Sequence, residues 1–203
     1  MPTADFFCKL GMYVDRTFLT PELCAELVAT VSTVHRENSA VVDGGTAERA
    51  IKLDVRRTKT AYVSTSTIAT VHEKILSLKE PLQKHFSVAL QSFEKPDFLV
   101  YEEGDFFRAH ADSDDAASKP DYIKRRKLSL IVFLNSETAE PSVDSFCGGS
   151  LVMYGLMKSS QWQHYGFSLS GEAGLLIAFP SHLVHEVMPV TGGRRFSIVT
   201  WAY

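Results

Sequence analysis

Two triplets in the sequence set an imidazole and a carboxylate two residues apart: His35-Arg36-Glu37 and His110-Ala111-Asp112. With seven histidines and 24 acidic residues in the chain, roughly one such triplet is expected by chance, so spacing alone decides nothing. Local geometry separates them. The first triplet ends a predicted helix, where residues two apart point to different sides and do not chelate one ion. The second follows the strand-like run FRAH, where residues two apart share a face and can converge on one metal. A third ligand must come from a distant part of the chain, and His164, His182 and His185 are the candidates. Two histidines and one carboxylate on one face of an ion leave the opposite positions open, an arrangement suited to non-haem Fe(II) and oxygen chemistry. Zinc would usually take more His or Cys in a closed tetrahedron.

The elements that must carry these residues fall into two halves. FFCKLGMYV, near the start, reads as a short strand. LTPELCAELVATVSTVHRE (19–37) reads as a helix. Thr20 can cap it, Pro21 suits the first helical position, and Leu23, Leu27, Val31 and Val34 share one face. SAVVDGGTAE (39–48) is turn-rich, and residues 51–64 suit an extended segment. STIATVHEKILSLKEPLQKHFSVALQSF (66–93) has helical periodicity that Pro81 should kink or divide. Beyond residue 96 the pattern changes to short apolar or alternating runs: DFLVY, RRKLSLIVFLN, GGSLVMYG, GLLIAFP and RRFSIVTW. Gly, Pro, Ser and Asp separate them, which is the spacing of an antiparallel sandwich or barrel. The expectation is one α+β domain over 1–203, with a mainly helical support region (1–96) and a β core (97–203). Gly148 and Gly149 fit a bulge or a close backbone approach before a strand, and Gly192 and Gly193 fit a tight turn.

Composition narrows the classes. Hydrophobic residues make up 45% and charged residues 22%, as in an ordinary globular domain. A net charge of −3 gives no general reason to bind nucleic acid or an anionic membrane. The basic run KRRK (124–127) reads as a solvated strand entrance. Cys8, Cys24 and Cys147 are odd in number and form no C-x-x-C, which argues against a disulfide framework or a thiolate zinc site. No signal-peptide pattern and no apolar run long enough to span a bilayer is visible, so a cytoplasmic protein without membrane contact is expected.

Four stretches in order carry a family likeness: YEEGDFFRAHADSD (101–114), RRKLSLIVFLN (125–135), GGSLVMYG (148–155) and FPSHLVHEVMPVTGGRRFSIVTW (179–201). Together they resemble the catalytic domain of the prolyl 4-hydroxylase type of 2-oxoglutarate/Fe(II) oxygenases, over about residues 97–203. The resemblance implies a double-stranded β-helix, a jelly roll, with helices packed on one side. It implies His110, Asp112 and His185 as iron ligands, and leaves His182 as a neighbour without a ligand role. It places a basic residue on the strand after His185 to bind the far carboxylate of 2-oxoglutarate, and Arg194 and Arg195 both stand there. Strand alternation favours Arg195, which shares a face with Ser197, Val199 and Trp201, whereas Arg194 falls with Phe196 and Ile198. Arg offers a planar fork to a carboxylate, and Ser197 can add a hydrogen bond. Tyr101 matches a tyrosine that contacts the co-substrate in relatives, and Trp201 is a candidate pocket wall. One departure stands out: Phe133 occupies a place where many relatives carry tyrosine.

The implied reaction uses Fe(II), 2-oxoglutarate and O2, with ascorbate as an optional support. It hydroxylates an unactivated C–H of a prolyl or amino-acyl substrate and yields succinate and CO2. The carboxylate at 112 points to hydroxylation or desaturation rather than halogenation. A small natural-product intermediate is the alternative substrate, and a non-catalytic jelly-roll binding module is the alternative of another class. The mouth is expected to be formed by loops 39–50, 112–124 and 136–147, and none of them names a substrate.

Overall fold

The computed structural model describes residues 3–42, 48–116, 119–157 and 164–203. The chain begins with a short helix, α1 (Ala4–Lys9), followed by β1 (Tyr13–Asp15). The strand expected over FFCKLGMYV is therefore only its tail. Phe7 is buried against the core from α1, so tertiary packing overrides the local apolar run. In α2 (Pro21–Thr33) the Thr20 hydroxyl accepts from the Leu23 amide at 3.3 Å, the capping arrangement the sequence predicts. The helix stops at Thr33, with Val34 already extended, and His35 lies beyond it. Next come β2 (Arg36–Asn38), β3 (Val41–Val42), β4 (Arg49–Ala50), β5 (Arg56–Arg57) and β6 (Lys59–Ala61). The long helical segment is divided into α3 (Thr65–Leu76) and α4 (Lys79–Phe86). Pro81 sits in the first turn of α4, where a missing N–H removes no helical bond.

The remaining strands are β7 (Asp97–Tyr101), β8 (Phe106–His110), β9 (Leu128–Phe133), β10 (Ser136–Glu137), β11 (Ser145–Gly148), β12 (Leu151–Met153), β13 (Phe167–Leu169), β14 (Leu176–Pro180), β15 (His185–Val187), β16 (Val190–Gly193) and β17 (Arg195–Ala202). A short helix, α5 (Asp121–Lys124), leads into β9. Among the described residues a seven-stranded sheet runs β1-β14-β9-β17-β7-β6-β2, with all its pairs antiparallel. A five-stranded sheet runs β13-β12-β15-β8-β5, and β10-β11-β16 and β3-β4 form smaller sheets.

Period-two alternation sorts the large sheet. Leu128, Leu130 and Val132 of β9, Phe196 and Ile198 of β17, and Phe98 and Val100 of β7 pack with the helices. The helices answer with Leu27, Val31, Val71, Ile75 and Leu82. The opposite face gives Ile131, Phe133, Ile177 and Phe179, which join Leu151, Met153, Phe167 and Leu169 of the five-stranded sheet in a second core. The fold is thus mixed α/β with extensive antiparallel sheets, one face under helices and the other facing a second sheet.

Two glycine pairs differ in role. At Gly148 and Gly149 the register with β16 shifts and both residues have φ of +66°, so the expected bulge is present. Gly192 and Gly193 are not a tight turn. They lie on β16, paired with Cys147 and Phe146 of β11. A Cβ on Gly193, where φ is +73°, would come 2.5 Å from the Ser145 carbonyl oxygen, so close strand approach is what requires glycine there.

Candidate functional site

His110 ends β8 and His185 opens β15, and the two residues are direct cross-strand partners. This pairing brings together side chains 75 positions apart. Asp112 lies just beyond β8, where its amide donates to the Ser181 carbonyl at 2.9 Å. One ligand atom from each of His110, Asp112 and His185 falls within 4.8 Å of the others. Asp112 Oδ1 is 3.6 Å from His110 Nε2, and its Oδ2 is 3.4 Å from His185 Nε2.

The outer partners fix which nitrogen faces inward. His110 Nδ1 lies 2.8 Å from the Arg108 carbonyl and His185 Nδ1 lies 3.0 Å from the Leu183 carbonyl. A carbonyl only accepts, so each Nδ1 carries the proton and each Nε2 presents its lone pair to the shared centre. The Ser129 hydroxyl donates to Asp112 Oδ2 at 2.7 Å. Burial alone would raise the Asp112 carboxyl, but His185, His110 and Ser129 outweigh it and hold it well below the usual carboxylate range. Burial pushes His185 down to about 4, so its imidazole is neutral at pH 7. An ionised Asp112, a neutral His185 and two inward-facing imidazole Nε2 atoms suit a divalent metal, so these residues fit Fe(II).

The three groups line a cavity of about 840 Å³, together with Arg195, Ser197 and Tyr101. Arg195 is 1% exposed, and its Nε and Nη1 have no hydrogen-bond partner. Ser197 Oγ is likewise buried without a partner. The Arg195 guanidinium carbon lies 5.0 Å from the Tyr101 ring centre and 4.9 Å from that of Phe133. A buried cation with orphaned donors beside an orphaned hydroxyl is costly unless an anion completes it, so this end of the cavity fits a carboxylate such as that of 2-oxoglutarate. Phe133 cannot replace the hydrogen bond of a tyrosine, but its ring packs against the guanidinium.

Strand parity holds at β17: Arg195, Ser197, Val199 and Trp201 all line the cavity. Arg194 is exposed and lies over the Phe196 ring. Trp201 carries the Arg126 guanidinium 3.6 Å from its ring centre. His164 and His182 are exposed and line a separate hollow with Tyr154 and Leu183, which the triad side chains do not line. His35 and Glu37 sit on extended chain rather than at a helix end, and they pair with each other at 3.1 Å. Two residues apart on a strand do share a side, so helix geometry is not what excludes them. Both are exposed, and among the described residues no third ligand joins them.

Other expectations need correction. The run KRRK is not a solvated entrance throughout. Arg126 forms a bidentate pair with Glu94, at 2.8 and 2.7 Å, and both residues line the cavity. Of the three proposed mouth loops, 39–50 and 112–124 contribute lining residues such as Val41 and Tyr122. The described lining contains nothing from 136–147, a segment that holds β10, a loop over 138–144 and the start of β11. Nothing in their sequence context marks Arg56, Asp97 or Ser129: cross-strand pairing carries Arg56 and Asp97 to the cavity, and it brings the Ser129 hydroxyl to Asp112.

Comparison with known proteins agrees with this geometry. The 2OG-Fe(II) oxygenase superfamily profile matches residues 96–203. A PKHD-type hydroxylase of Hyphomonas neptunium is 28% identical over 192 residues, covering 94% of this chain and 77% of that protein. One from Shewanella baltica (strain OS185) is 33% identical over 131 residues, covering 64% of this chain and 48% of its own, so the match spans about half of that relative. Among solved structures, a Pseudomonas putida prolyl-4-hydroxylase superposes with a TM-score of 0.68 at 20% identity, covering 98% of this chain and 95% of its own. A Trichoplax adhaerens prolyl hydroxylase, solved with a hypoxia inducible factor peptide, gives 0.66 at 19% identity, covering 98% and 86%. With a profile match over more than half its length, the chain belongs to the 2OG-Fe(II) oxygenase superfamily and is a dioxygenase dependent on Fe(II) and 2-oxoglutarate.

Proposed function

We propose that this enzyme hydroxylates an unactivated C–H bond of a prolyl or amino-acyl substrate. In that reaction 2-oxoglutarate and O2 are consumed, and succinate, CO2 and the alcohol are formed. The observation that carries the reading is the juxtaposition, in one cavity, of the converging His110, Asp112 and His185 ligand atoms with the orphaned donors of Arg195 and Ser197. We assign the first three to iron and the last two to the 5-carboxylate of 2-oxoglutarate, with Tyr101 as part of the co-substrate wall and Trp201 as a substrate-side wall. When bound, the iron supplies the oxidising chemistry that couples loss of CO2 from 2-oxoglutarate to oxygen transfer.

The chain's own residues do the positioning. Arg195 and Ser197 would hold the far carboxylate of the co-substrate in the cavity that the triad also lines. Ser129 holds Asp112, and the Arg108 and Leu183 carbonyls hold the two imidazoles. Phe107 and Val187 keep the surroundings apolar, which limits water at the reacting carbon.

The two facing sheets support a double-stranded β-helix core. We further take residues 1–203 as one domain, because β1, β2 and β6 of the N-terminal half are bonded into the large sheet and β5 into the five-stranded one. A cytoplasmic setting is consistent with the free thiols of Cys8, Cys24 and Cys147, and among the described residues no helix is long and apolar enough to cross a membrane.

The experiment is direct. Purified protein with Fe(II), ascorbate, O2 and 2-oxoglutarate should form succinate, and substrate should raise the rate. His110→Ala and Asp112→Ala should each abolish turnover and iron binding. Full turnover in either variant would overturn the metal assignment.

A further inference from the structure

Once the triad and Arg195 are assigned, Arg56 and Asp97 of the cavity lining have no ion-pair partner among the described residues; Arg49 and Lys95 also line the cavity and act on Asp97 less strongly than Arg56 does. Arg56 lies on β5, paired across to Phe107 of β8. Its guanidinium carbon is 4.7 Å from the Phe107 ring centre, and His110 stacks on that same ring at 3.6 Å. Arg56 is thereby placed beside the triad. Its Nε is buried without a partner, and its Nη1 has only a long contact of 3.4 Å to the Ala40 carbonyl. The second charge is Asp97, at the start of β7 and facing the cavity in the same parity as Leu99 and Tyr101. Among the described residues its carboxylate makes no hydrogen bond or ion pair. Arg56 is the strongest charge acting on Asp97, yet no ion pair joins them, so a gap separates the two. Two neighbouring cations of the cavity are engaged elsewhere: Arg126 with Glu94, and Arg125 over the Tyr203 ring.

We propose that this gap receives a small zwitterionic substrate, a free amino acid, with its carboxylate on Arg56 and its protonated amine on Asp97. The proposal rests on the oxygenase reading above and narrows its substrate class. Each charge that the fold leaves unpaired would gain its counter-charge, and each charge of the ligand would replace lost hydration. A peptide bond at the same place has neither charge and would leave both groups unpartnered, which is the strongest means a polar site has of rejecting an analogue. The volume agrees: about 840 Å³ exceeds what 2-oxoglutarate needs and leaves room for a second small molecule next to the iron ligands.

The test uses the anaerobic Fe(II)·2-oxoglutarate form of the enzyme, whose visible charge-transfer band reports occupancy of both. The twenty proteinogenic L-amino acids are titrated in, and binding is read from the band and by calorimetry. For each one bound, its amide and its N-acetyl derivative are compared. At least one free amino acid should bind and perturb the band. Its amide and its N-acetyl form should each bind at least tenfold more weakly. Arg56→Met should make acid and amide bind alike, and Asp97→Asn should do the same for the free and N-acetylated amine. The band formed with 2-oxoglutarate alone checks that each variant assembles. Should a variant fail that check, the acid–amide comparison on the wild-type protein still decides. If the band forms but no free amino acid binds, or if capped derivatives or a peptide bind as well, the proposal is wrong while the oxygenase reading stands. If the band never forms in the wild-type protein, the oxygenase reading falls and the proposal with it.

Discussion

Ser129 would touch neither iron nor 2-oxoglutarate in the assignment above, yet its hydroxyl fixes one oxygen of the shared carboxylate and sits 3.0 Å from Ser181 Oγ. Removing it frees Asp112 to rotate. Ser129→Ala should therefore weaken iron affinity by about tenfold or more while leaving the fold intact, as measured by metal titration and circular dichroism. Arg195 makes the complementary point. Its buried charge has two orphaned donors, which cost stability until an anion arrives. Arg195→Leu should leave the melting temperature of the co-substrate-free protein unchanged or raised. It should also abolish the upward shift that 2-oxoglutarate gives the wild-type protein, since only a ligand that binds the native state stabilises it. Loss of apo stability together with an undiminished 2-oxoglutarate shift would reject that role.

Elements act by bringing backbones close. Gly149, just after β11, has φ of +66°, and a Cβ there would lie 2.9 Å from Val190 Cγ2 and 3.3 Å from Arg195 Cδ. Gly149→Ala should cost about 1–3 kcal/mol from the left-handed backbone alone, seen in denaturant unfolding. It should also weaken 2-oxoglutarate binding several-fold, because the added methyl presses on the arginine stem. Normal co-substrate affinity in this variant would show that the bulge does not set the Arg195 position. The pairing of β8 with β15 is the other decisive element, since it alone makes His110 and His185 neighbours.

For the whole molecule, the packing of helices on the large sheet has a measurable pH signature. Cys24 of α2 is 1% exposed in that core, and burial pushes its thiol up to about 11, against a smaller opposing contact from the Gly174 backbone. A thiol ionises near 8.5 in an unfolded chain, so the folded state here keeps its proton to higher pH. The stability this contributes is complete below that value and is lost as pH rises toward about 11. Unfolding measured from pH 8 to 11 should show a steeper decline in wild-type protein than in Cys24→Ala. A parallel decline would mean the thiol ionises equally in both states. Alkylation should agree: exposed Cys8 should react in the native protein, while Cys24 and Cys147 should react only on unfolding.

Much of this protein was legible before folding. The Thr20 cap, the division near Pro81, the alternating runs beyond residue 96 and the parity that turns Arg195 and Ser197 inward all follow from local periods of 3.6 and 2. The H-x-D triplet at 110–112 announced two ligands, although Asp112 lies in a bend just beyond β8 and is held inward by Ser181 and Ser129 rather than by the strand itself. Local rules failed where distant chain decided the outcome. Phe7 is helical because a core receives it, Gly193 lies on β16 with a left-handed φ because β11 passes too close for a side chain, and Gly192 packs against Pro141. Arg126 is half-buried because Glu94 and Trp201 meet it. Residue type and spacing by themselves determined the kinds of groups available and the faces they share. The family likeness already named His185 as the third ligand; the tertiary structure shows it opposite His110, and only that structure decided that Arg56 and Asp97 reach the same cavity without an ion pair between them. Convergence of residues tens of positions apart is fixed by sheet register, which depends on long-range pairing and not on any neighbour in the chain.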